Sequence, residues 1–125
     1  MEDELKTFFF DSYALIEIFE GNRSYEKYKG ARVITSYFHI YELNYILRKK
    51  YTEEDIEDFL QYLESFCVEL DFKWIGEAVA FRRENKKRDL SYADCLGYII
   101  AEDLGVKFLT GDNQFRVLKN VEFVK

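Results

Sequence analysis

The sequence predicts a single α/β domain, a three-layer sandwich in which helices cover both faces of a central, mainly parallel sheet of five strands. Two observations lead to this expectation. Short runs of β-branched and aromatic residues alternate with helical patterns along the 125 residues. Hydrophobic residues make up 48% of the chain, and no proline or low-complexity stretch divides it, so we expect residues 1–125 to fold around one core.

Five runs of residues have the composition of strands. Each is rich in β-branched or aromatic side chains, and together they cover residues 6–10, 32–35, 66–70, 106–110 and 121–124. The carboxyl ends of parallel strands share one edge of a sheet, and ligands bind in the crevice beyond that edge. Asp11 and Asp112 close two of these runs. We therefore expect both carboxylates to emerge on the binding edge.

Apolar spacing predicts helices between the strands. One amphipathic helix is indicated by apolar residues at i, i+3, i+4 and i+7 spacing, which are Ile56, Phe59, Leu60, Leu63 and Phe66. Thr52 and Asp55 form a candidate capping box in front of it. A similar face continues through Phe72, Ile75, Val79 and Arg82, with Trp74 and Ala78 beside it.

The predicted helix at residues 36–47 holds an acid in an apolar stripe. Phe38, Glu42 and Ile46 recur at i, i+4 and i+8, which places the Glu42 carboxylate among apolar side chains. Burying a carboxylate costs free energy unless something cationic compensates, so Glu42 is a candidate ligand for a cation. His39, the only histidine of the chain, is predicted to lie on the surface of the same helix.

Four acids stand where the chain should be apolar or turning: Asp11, Glu42, Asp94 and Asp112. Three of them also have a structural explanation. Asp11 is a candidate helix cap, Asp112 a candidate turn residue, and Asp94 forms a candidate capping box with Ser91. If the fold brings all four acids together, they form a site of hard oxygen ligands for a divalent metal. Such a site would favour hydrolysis of phosphodiesters.

One segment of this acidic chain is basic. The formal net charge is −6, which argues against binding of nucleic acid by bulk electrostatics. Residues 82–88 nevertheless carry five cations, which are Arg82, Arg83, Lys86, Lys87 and Arg88. The structural explanation is a solvated helix end that complements the helix dipole. The functional explanation is a patch that positions RNA phosphates in front of Asp94.

Composition also favours a cytoplasmic protein. No apolar run approaches the roughly 18 residues that a membrane span needs. Acidic residues precede the first apolar run, which is the opposite of a signal peptide. Cys67 and Cys95 lack the spacing of a metal site, and we expect both to be reduced.

The order and surroundings of the four acids resemble the PIN-domain family of metal-dependent ribonucleases, and more closely its small VapC-type toxins. Members of that family begin with a strand that ends in an aspartate followed by serine or threonine, matched here by FFFDS. They carry a glutamate on the helix after the second strand and an aspartate early in a later helix, matched by SYFHIYELNYIL and LSYADCLGYIIAEDLG. A late strand ends in a threonine-x-aspartate signature, matched by TGDNQF. The resemblance covers nearly the whole chain.

This resemblance implies a metal-dependent endoribonuclease. The acidic metal-binding and catalytic residues that it implies are Asp11, Glu42, Asp94 and Asp112. Ser12 and Thr110 would hold these acids in place. The implied cofactor is Mg²⁺ or Mn²⁺, as one or two ions. The implied partners are an RNA substrate, an antitoxin protein that keeps the enzyme inactive, and a second copy of the chain in a homodimer.

Two alternatives remain open. An RNA-processing nuclease of the same fold would act without an antitoxin. A response-regulator-like signalling domain also gathers acids at strand ends, but it needs a lysine after a late strand, whereas Lys107 opens its strand.

Overall fold

The computed structural model describes residues 5–125 and confirms an α/β fold in which helices flank a parallel sheet. Residues 1–4, which hold most of the acidic start considered above, lie outside the described part. The strands are β1 (Thr7–Phe10), β2 (Arg32–Ile34), β3 (Lys107–Thr110) and β4 (Val121–Phe123). The helices are α1 (Ser12–Glu20), α2 (Tyr37–Leu47), α3 (Glu53–Glu64), α4 (Phe72–Glu84) and α5 (Tyr92–Asp103). Within residues 5–125, none of the helices is long and apolar enough to cross a bilayer.

The sheet places β1 and β3 at its centre. The strand order is β2-β1-β3-β4, and the described strands pair in parallel. Phe10, the last residue of β1, pairs with Leu109 of β3. The residues that follow these two strands therefore meet at the middle of the carboxyl edge, where binding sites of parallel sheets form.

Alternation along β1 divides the core into two layers. Phe8 and Phe10 belong to the apolar cluster that includes residues of α1, α2 and α3, whereas Phe9 belongs to the cluster that includes residues of α4 and α5. Successive side chains of a strand point to opposite faces, and all three phenylalanines are buried. Both faces of the sheet are therefore covered by helices.

The predicted fifth strand, residues 66–70, is not a strand in the described structure. Only one bridge forms there, between Thr35 and Cys67. The last turn of α3 holds this segment, since Phe66 N donates to the Leu63 carbonyl oxygen at 3.0 Å. Asp71 already caps α4. This single bridge does not extend into a ladder, and the described sheet has four strands.

Two helices bury a different face from the one predicted. In α4 the buried residues are Trp74 and Ala78, while Phe72 is 84% and Val79 51% exposed. In α2 the buried stripe likewise differs from the predicted one, as described with the site below. The capping box of α3 is present as predicted, because Thr52 and Asp55 exchange both hydrogen bonds.

Candidate metal centre

Asp11 lies directly after the central strand β1, at the start of α1. It occupies the N-cap position, but its side chain makes no capping hydrogen bond, so capping does not account for its carboxylate. Asp11 Oδ2 instead accepts a hydrogen bond from Thr110 Oγ1 at 2.8 Å. Asp11 is only 2% exposed, and its Oδ1 has no hydrogen-bond partner. A buried carboxylate in this state is unfavourable unless a cation compensates.

Asp94 lies in the first turn of α5 and closes the predicted capping box. Its Oδ2 accepts a hydrogen bond from Ser91 N at 2.9 Å, and Ser91 Oγ accepts one from Asp94 N at 3.0 Å. The box uses one of the two carboxylate oxygens. Capping therefore leaves the other oxygen of this buried aspartate for a second role.

Glu42 lies in the middle of α2 and is half-buried. The apolar stripe predicted around it is wrong, because Phe38 is 54% and Ile46 37% exposed. The buried residues of α2 are His39, Leu43 and Leu47, which lie about 100° around the helix from the predicted stripe. Glu42 therefore stands at the border of the core and lines a cleft.

The three acids meet in this cleft. Asp11, Glu42 and Asp94 each offer a carboxylate oxygen, and these oxygens lie within 4.8 Å of one another. Asp112 lines the same cleft, whose volume is about 450 Å³, but is not part of the close triad. Its Oδ1 accepts a hydrogen bond from Gln114 N at 3.0 Å and so caps a 3-10 turn. The fold thus brings the four predicted acids to one cleft, three of them in close proximity.

The triad suits a hard divalent cation. All of its donors are carboxylate oxygens, the ligands that Mg²⁺ and Mn²⁺ prefer. The buried Asp11 Oδ1, which lacks a hydrogen-bond partner, is an acceptor that such an ion would satisfy. The residues present therefore fit the metal that the resemblance implies.

Burial and mutual repulsion raise the pKa of both buried aspartates. The pKa of Asp11 is well above its usual range, chiefly because of burial and then because of the charge of Asp94. Burial raises the pKa of Asp94 to about 6; hydrogen bonding to Ser91 opposes this shift, while the charges of Glu42 and Asp112 add to it. Burial and the neighbouring charges therefore make the ionised aspartates less favourable than they are in water, and a divalent ion would stabilise the ionised forms.

The two predicted supporting residues differ in what they contact. Thr110 links two of the acids, since its hydroxyl donates to Asp11 and accepts a hydrogen bond from Asp112 N at 3.1 Å. Ser12 also lines the cleft. Its hydroxyl, however, donates to the carbonyl oxygen of His39 at 3.4 Å, so it contacts α2 rather than a carboxylate.

His39 is a buried residue beside the three acids, and its burial was not predicted from the sequence. The predicted surface position is wrong, because the residue is 0% exposed. Its Nε2 lies 3.7 Å from Asp11 Oδ1, and its Nδ1 lies 2.6 Å from Ser36 Oγ. Burial lowers the pKa of His39 to about 3, and a contact with the backbone of Ala93 has a smaller, opposite effect. The available signal was its i+4 and i+8 spacing to the two buried leucines of α2.

The basic segment 82–88 lies beside the acidic cleft, at the end of α4 and in the turn that follows. Four of its cations line a second cavity of about 840 Å³, and these are Arg82, Arg83, Lys86 and Arg88. Arg82 lines both cavities, whereas the exposed Lys87 lines neither. Two cations also have structural contacts: Arg82 Nε donates to the Leu90 carbonyl oxygen at 3.1 Å, and Arg88 Nη1 to that of Gln114 at 3.2 Å.

This fold and this cleft define a class of α/β proteins in which acids gather beyond the carboxyl edge of a parallel sheet. Residues 8–121 match the family model of the PIN domain, and the chain therefore belongs to the PIN-domain family. PIN domains are nucleases that use divalent metals, so membership supports a hydrolase that acts on nucleic acid. It also favours the nuclease interpretations over the response-regulator-like alternative.

Solved structures of low sequence identity share the fold. A chain in a toxin-antitoxin complex from Klebsiella pneumoniae aligns with a TM-score of 0.74 at 19% identity, over 92% of this chain and 95% of that chain. PAE2754 from Pyrobaculum aerophilum aligns with a TM-score of 0.69 at 18% identity, over 95% and 90% of the two chains. A chain of VapBC2 from Rickettsia felis, solved bound to a promoter DNA fragment, aligns with a TM-score of 0.68 at 17% identity, over 95% and 99%. Curated protein sequences give no significant match.

Proposed function

We propose that this chain is a Mg²⁺- or Mn²⁺-dependent endoribonuclease that acts as the toxin of a toxin-antitoxin pair. The observation that carries the proposal is the triad of Asp11, Glu42 and Asp94, whose carboxylate oxygens lie within 4.8 Å of one another beyond the carboxyl edge of the sheet. Family membership supports the nuclease activity. The choice of RNA as substrate is part of the proposal.

In this proposal the triad and Asp112 hold one or two divalent ions. Such an ion supplies positive charge to a phosphate oxygen and makes water more acidic at neutral pH. Asp11 serves as a fixed ligand, because burial and the hydrogen bond from Thr110 hold its carboxylate in place. Either Glu42 or Asp94 orients the attacking water and accepts its proton, since both line the cleft.

The basic segment would position the RNA backbone. Four of its cations line part of a cavity that shares Arg82 with the acidic cleft. The acidic cleft by itself repels phosphates, so cations at its border would favour docking of a polyanion there. We therefore assign RNA binding to Arg82, Arg83, Lys86 and Arg88, and include the exposed Lys87 only as a neighbour in the same basic segment.

The proposal includes two protein partners, an antitoxin and a second copy of the chain. Tyr37, Tyr41 and Tyr45 form one stripe of α2 and are 61%, 80% and 64% exposed. Large exposed apolar or aromatic patches are typical of protein interfaces. One of the similar structures belongs to a toxin-antitoxin complex, and another is a chain of VapBC2 bound to a promoter DNA fragment. A cytoplasmic location agrees with the free thiols of Cys67 and Cys95.

Metal-dependent cleavage of RNA tests the enzyme. We expect the wild-type chain to cleave single-stranded RNA in Mg²⁺ or Mn²⁺, and Asp11→Asn or Asp94→Asn to lose at least about 100-fold in rate, because a metal ligand is lost. Asp58→Asn, an exposed acid of α3, serves as the matched control and should retain full activity. Cleavage that persists in both site variants, or in excess chelator, contradicts the proposal.

Expression in a bacterial host tests the toxin role separately from the chemistry. We expect induction of the wild-type chain to arrest growth, and induction of Asp11→Asn to have no effect at equal protein level. Co-expression of a small protein encoded next to the chain should restore growth. An active nuclease that leaves growth unaffected would favour the RNA-processing alternative.

A further inference from the structure

Two buried polar atoms face each other at the base of the triad without a normal hydrogen bond. They are Asp11 Oδ1 and His39 Nε2, and they are the buried side-chain atoms of the described residues that lack a hydrogen-bond partner. They lie 3.7 Å apart, beyond the usual range of an N–H···O hydrogen bond. Both residues are almost completely buried. Because unpaired buried polar groups are costly, this pair requires an explanation.

The other ring nitrogen of His39, Nδ1, lies within hydrogen-bonding distance of a serine hydroxyl. Ser36 Oγ lies 2.6 Å from Nδ1 and also accepts a hydrogen bond from the His39 backbone N–H at 3.3 Å. The partner of one ring nitrogen decides which nitrogen carries the hydrogen. If the Ser36 hydroxyl donates to Nδ1, the hydrogen of the neutral ring is on Nε2, facing Asp11.

The carboxylate itself favours the same arrangement. An ionised carboxylate only accepts hydrogen bonds, so a bare Nε2 would place two lone pairs against each other. A hydrogen on Nε2 makes the contact attractive instead. Thr110 already donates to Asp11 Oδ2 at 2.8 Å, so His39 and Thr110 would hold the two carboxylate oxygens from different sides.

Space for the ring depends on a glycine of α5. A Cβ atom at Gly97 would lie 2.7 Å from His39 Nε2 and 2.8 Å from Phe9 Cε1. The Phe9 ring packs against the imidazole at a centroid distance of 4.9 Å with an interplanar angle of 72°. The ring is therefore confined by its neighbours as well as by Ser36.

We propose that His39 is a positioning residue of the metal centre, whose Nε2–H orients Asp11 Oδ1 while Ser36 holds Nδ1. This role rests on the proposed function, since it matters to activity only if Asp11 is a metal ligand. His39 itself neither binds the metal nor contacts the substrate. Groups that orient a ligand in this way commonly change metal affinity or activity by about 10–100-fold when removed.

The tautomer can be measured without metal or RNA. His39 is the only histidine of the chain, so long-range ¹H–¹⁵N correlation spectra contain the signals of this ring alone. The metal-free protein is measured at alkaline pH, which favours the ionised Asp11 carboxylate assumed above. We expect a neutral ring with its hydrogen on Nε2, and a shift of the Nδ1 signal in Ser36→Ala. A ring protonated on Nδ1 overturns the proposal.

Two variants separate orientation from packing. Glutamine keeps a donor N–H near the position of Nε2, whereas leucine keeps a similar volume without a donor. We expect His39→Leu to weaken Mn²⁺ binding by at least about 10-fold, in line with the removal of such an orienting group, and His39→Gln to stay within about 3-fold of wild type, since its amide still donates. Equal effects of the two variants, or none, overturn the proposal.

Two controls separate a failure of this inference from misfolding of a variant and from failure of the proposed function. Thermal unfolding of each variant checks that the fold is intact, and Ser36→Ala replaces His39→Leu if that variant does not fold; unchanged Mn²⁺ affinity in Ser36→Ala then overturns the proposal. If the wild-type chain neither binds Mn²⁺ nor cleaves RNA, the proposed function fails. The tautomer measurement still decides the inference in that case.

Discussion

Asp94 combines a structural role with a position in a cluster of like charges. Its Oδ2 closes the capping box of α5, which stabilises the helix start. Its charge faces those of Glu42 and Asp112, which contribute to raising its pKa. The two effects have opposite signs in the metal-free protein. Replacement by asparagine separates them, because the amide oxygen can still accept the hydrogen bond of Ser91 while the charge is removed.

We therefore expect Asp94→Asn to raise the melting temperature of the metal-free protein and to remove most of the stabilisation that Mn²⁺ gives the wild type. Asp55→Asn is the matched control, because Asp55 closes the capping box of α3 and is exposed. There the removal of the charge only weakens the interaction with the helix dipole, at a cost of about 0.3–1 kcal/mol. Calorimetry in chelator and in Mn²⁺ measures both effects. A lower melting temperature in both variants would assign Asp94 to capping alone.

The raised pKa of Asp94 also predicts how stability changes with pH. Its folded pKa of about 6 exceeds the usual value of 3.8, so the folded state binds the proton more tightly than the unfolded state. Stability of the metal-free protein should therefore fall as pH rises from about 4 to about 6. Asp11 acts in the same direction, since its pKa is also raised. Urea unfolding across this range should show a smaller decline for Asp94→Asn than for wild type; an equal decline contradicts the prediction.

Replacement of glycine by alanine should have opposite effects on stability at two helical positions, Gly97 and Gly76. Gly97 of α5 faces the buried rings of His39 and Phe9. A Cβ added at Gly97 would lie 2.7 Å from His39 Nε2 and 2.8 Å from Phe9 Cε1. Gly76 of α4 is exposed, with nothing within 4 Å of that position. Alanine is favoured over glycine in a helix by about 1 kcal/mol. Only at Gly97 does packing oppose this preference.

We expect Gly97→Ala to destabilise the protein by about 1–3 kcal/mol, the usual cost of overpacking a core. Gly76→Ala should instead stabilise it by up to about 1 kcal/mol, from helix propensity alone. Chemical denaturation of the two variants measures the difference. A gain in stability at both positions would mean that the His39 and Phe9 rings move aside at little cost.

Most elements could be predicted from the sequence because their signals are local. The runs around β1 and β3 are strongly apolar, and Thr52 with Asp55 marks the start of α3. The predicted strand at residues 66–70 was wrong because its composition does not reveal that Ser65 already ends α3 and Asp71 already caps α4.

The buried face of α2 could not be predicted because apolar and aromatic residues lie all around that helix. Periodicity then cannot choose between the stripe of Phe38 and the stripe of Leu43. His39 was missed for the same reason, because it shares the stripe of Leu43 and Leu47 that was not chosen as the buried face. The four acids were accessible from the sequence because two of them end central strands. Their catalytic roles stay a prediction.

At the scale of the whole molecule, charge is separated rather than balanced. The chain carries a net charge of −6, and its cleft is lined by several acids together with Arg82. If RNA is the substrate, as we propose, its attraction would come from a local patch and from bound cations rather than from the overall charge. The cations beside the larger cavity are candidates for this patch, whereas Lys6 and Lys107 lie at the amino ends of β1 and β3, on the opposite edge of the sheet.

This separation makes the salt dependence of RNA binding a test of the whole arrangement. We expect the double variant Arg83→Gln/Lys86→Gln, in an Asp11→Asn background that does not cleave, to bind RNA more weakly. The slope of log affinity against log salt should become shallower by roughly 1.4, about 0.7 for each cation that no longer neutralises a phosphate of a single strand. Lys6→Gln/Lys107→Gln, which changes the net charge equally, should leave that slope unchanged. Equal slopes for the two double variants would mean that overall charge, and not the basic segment 82–88, governs binding.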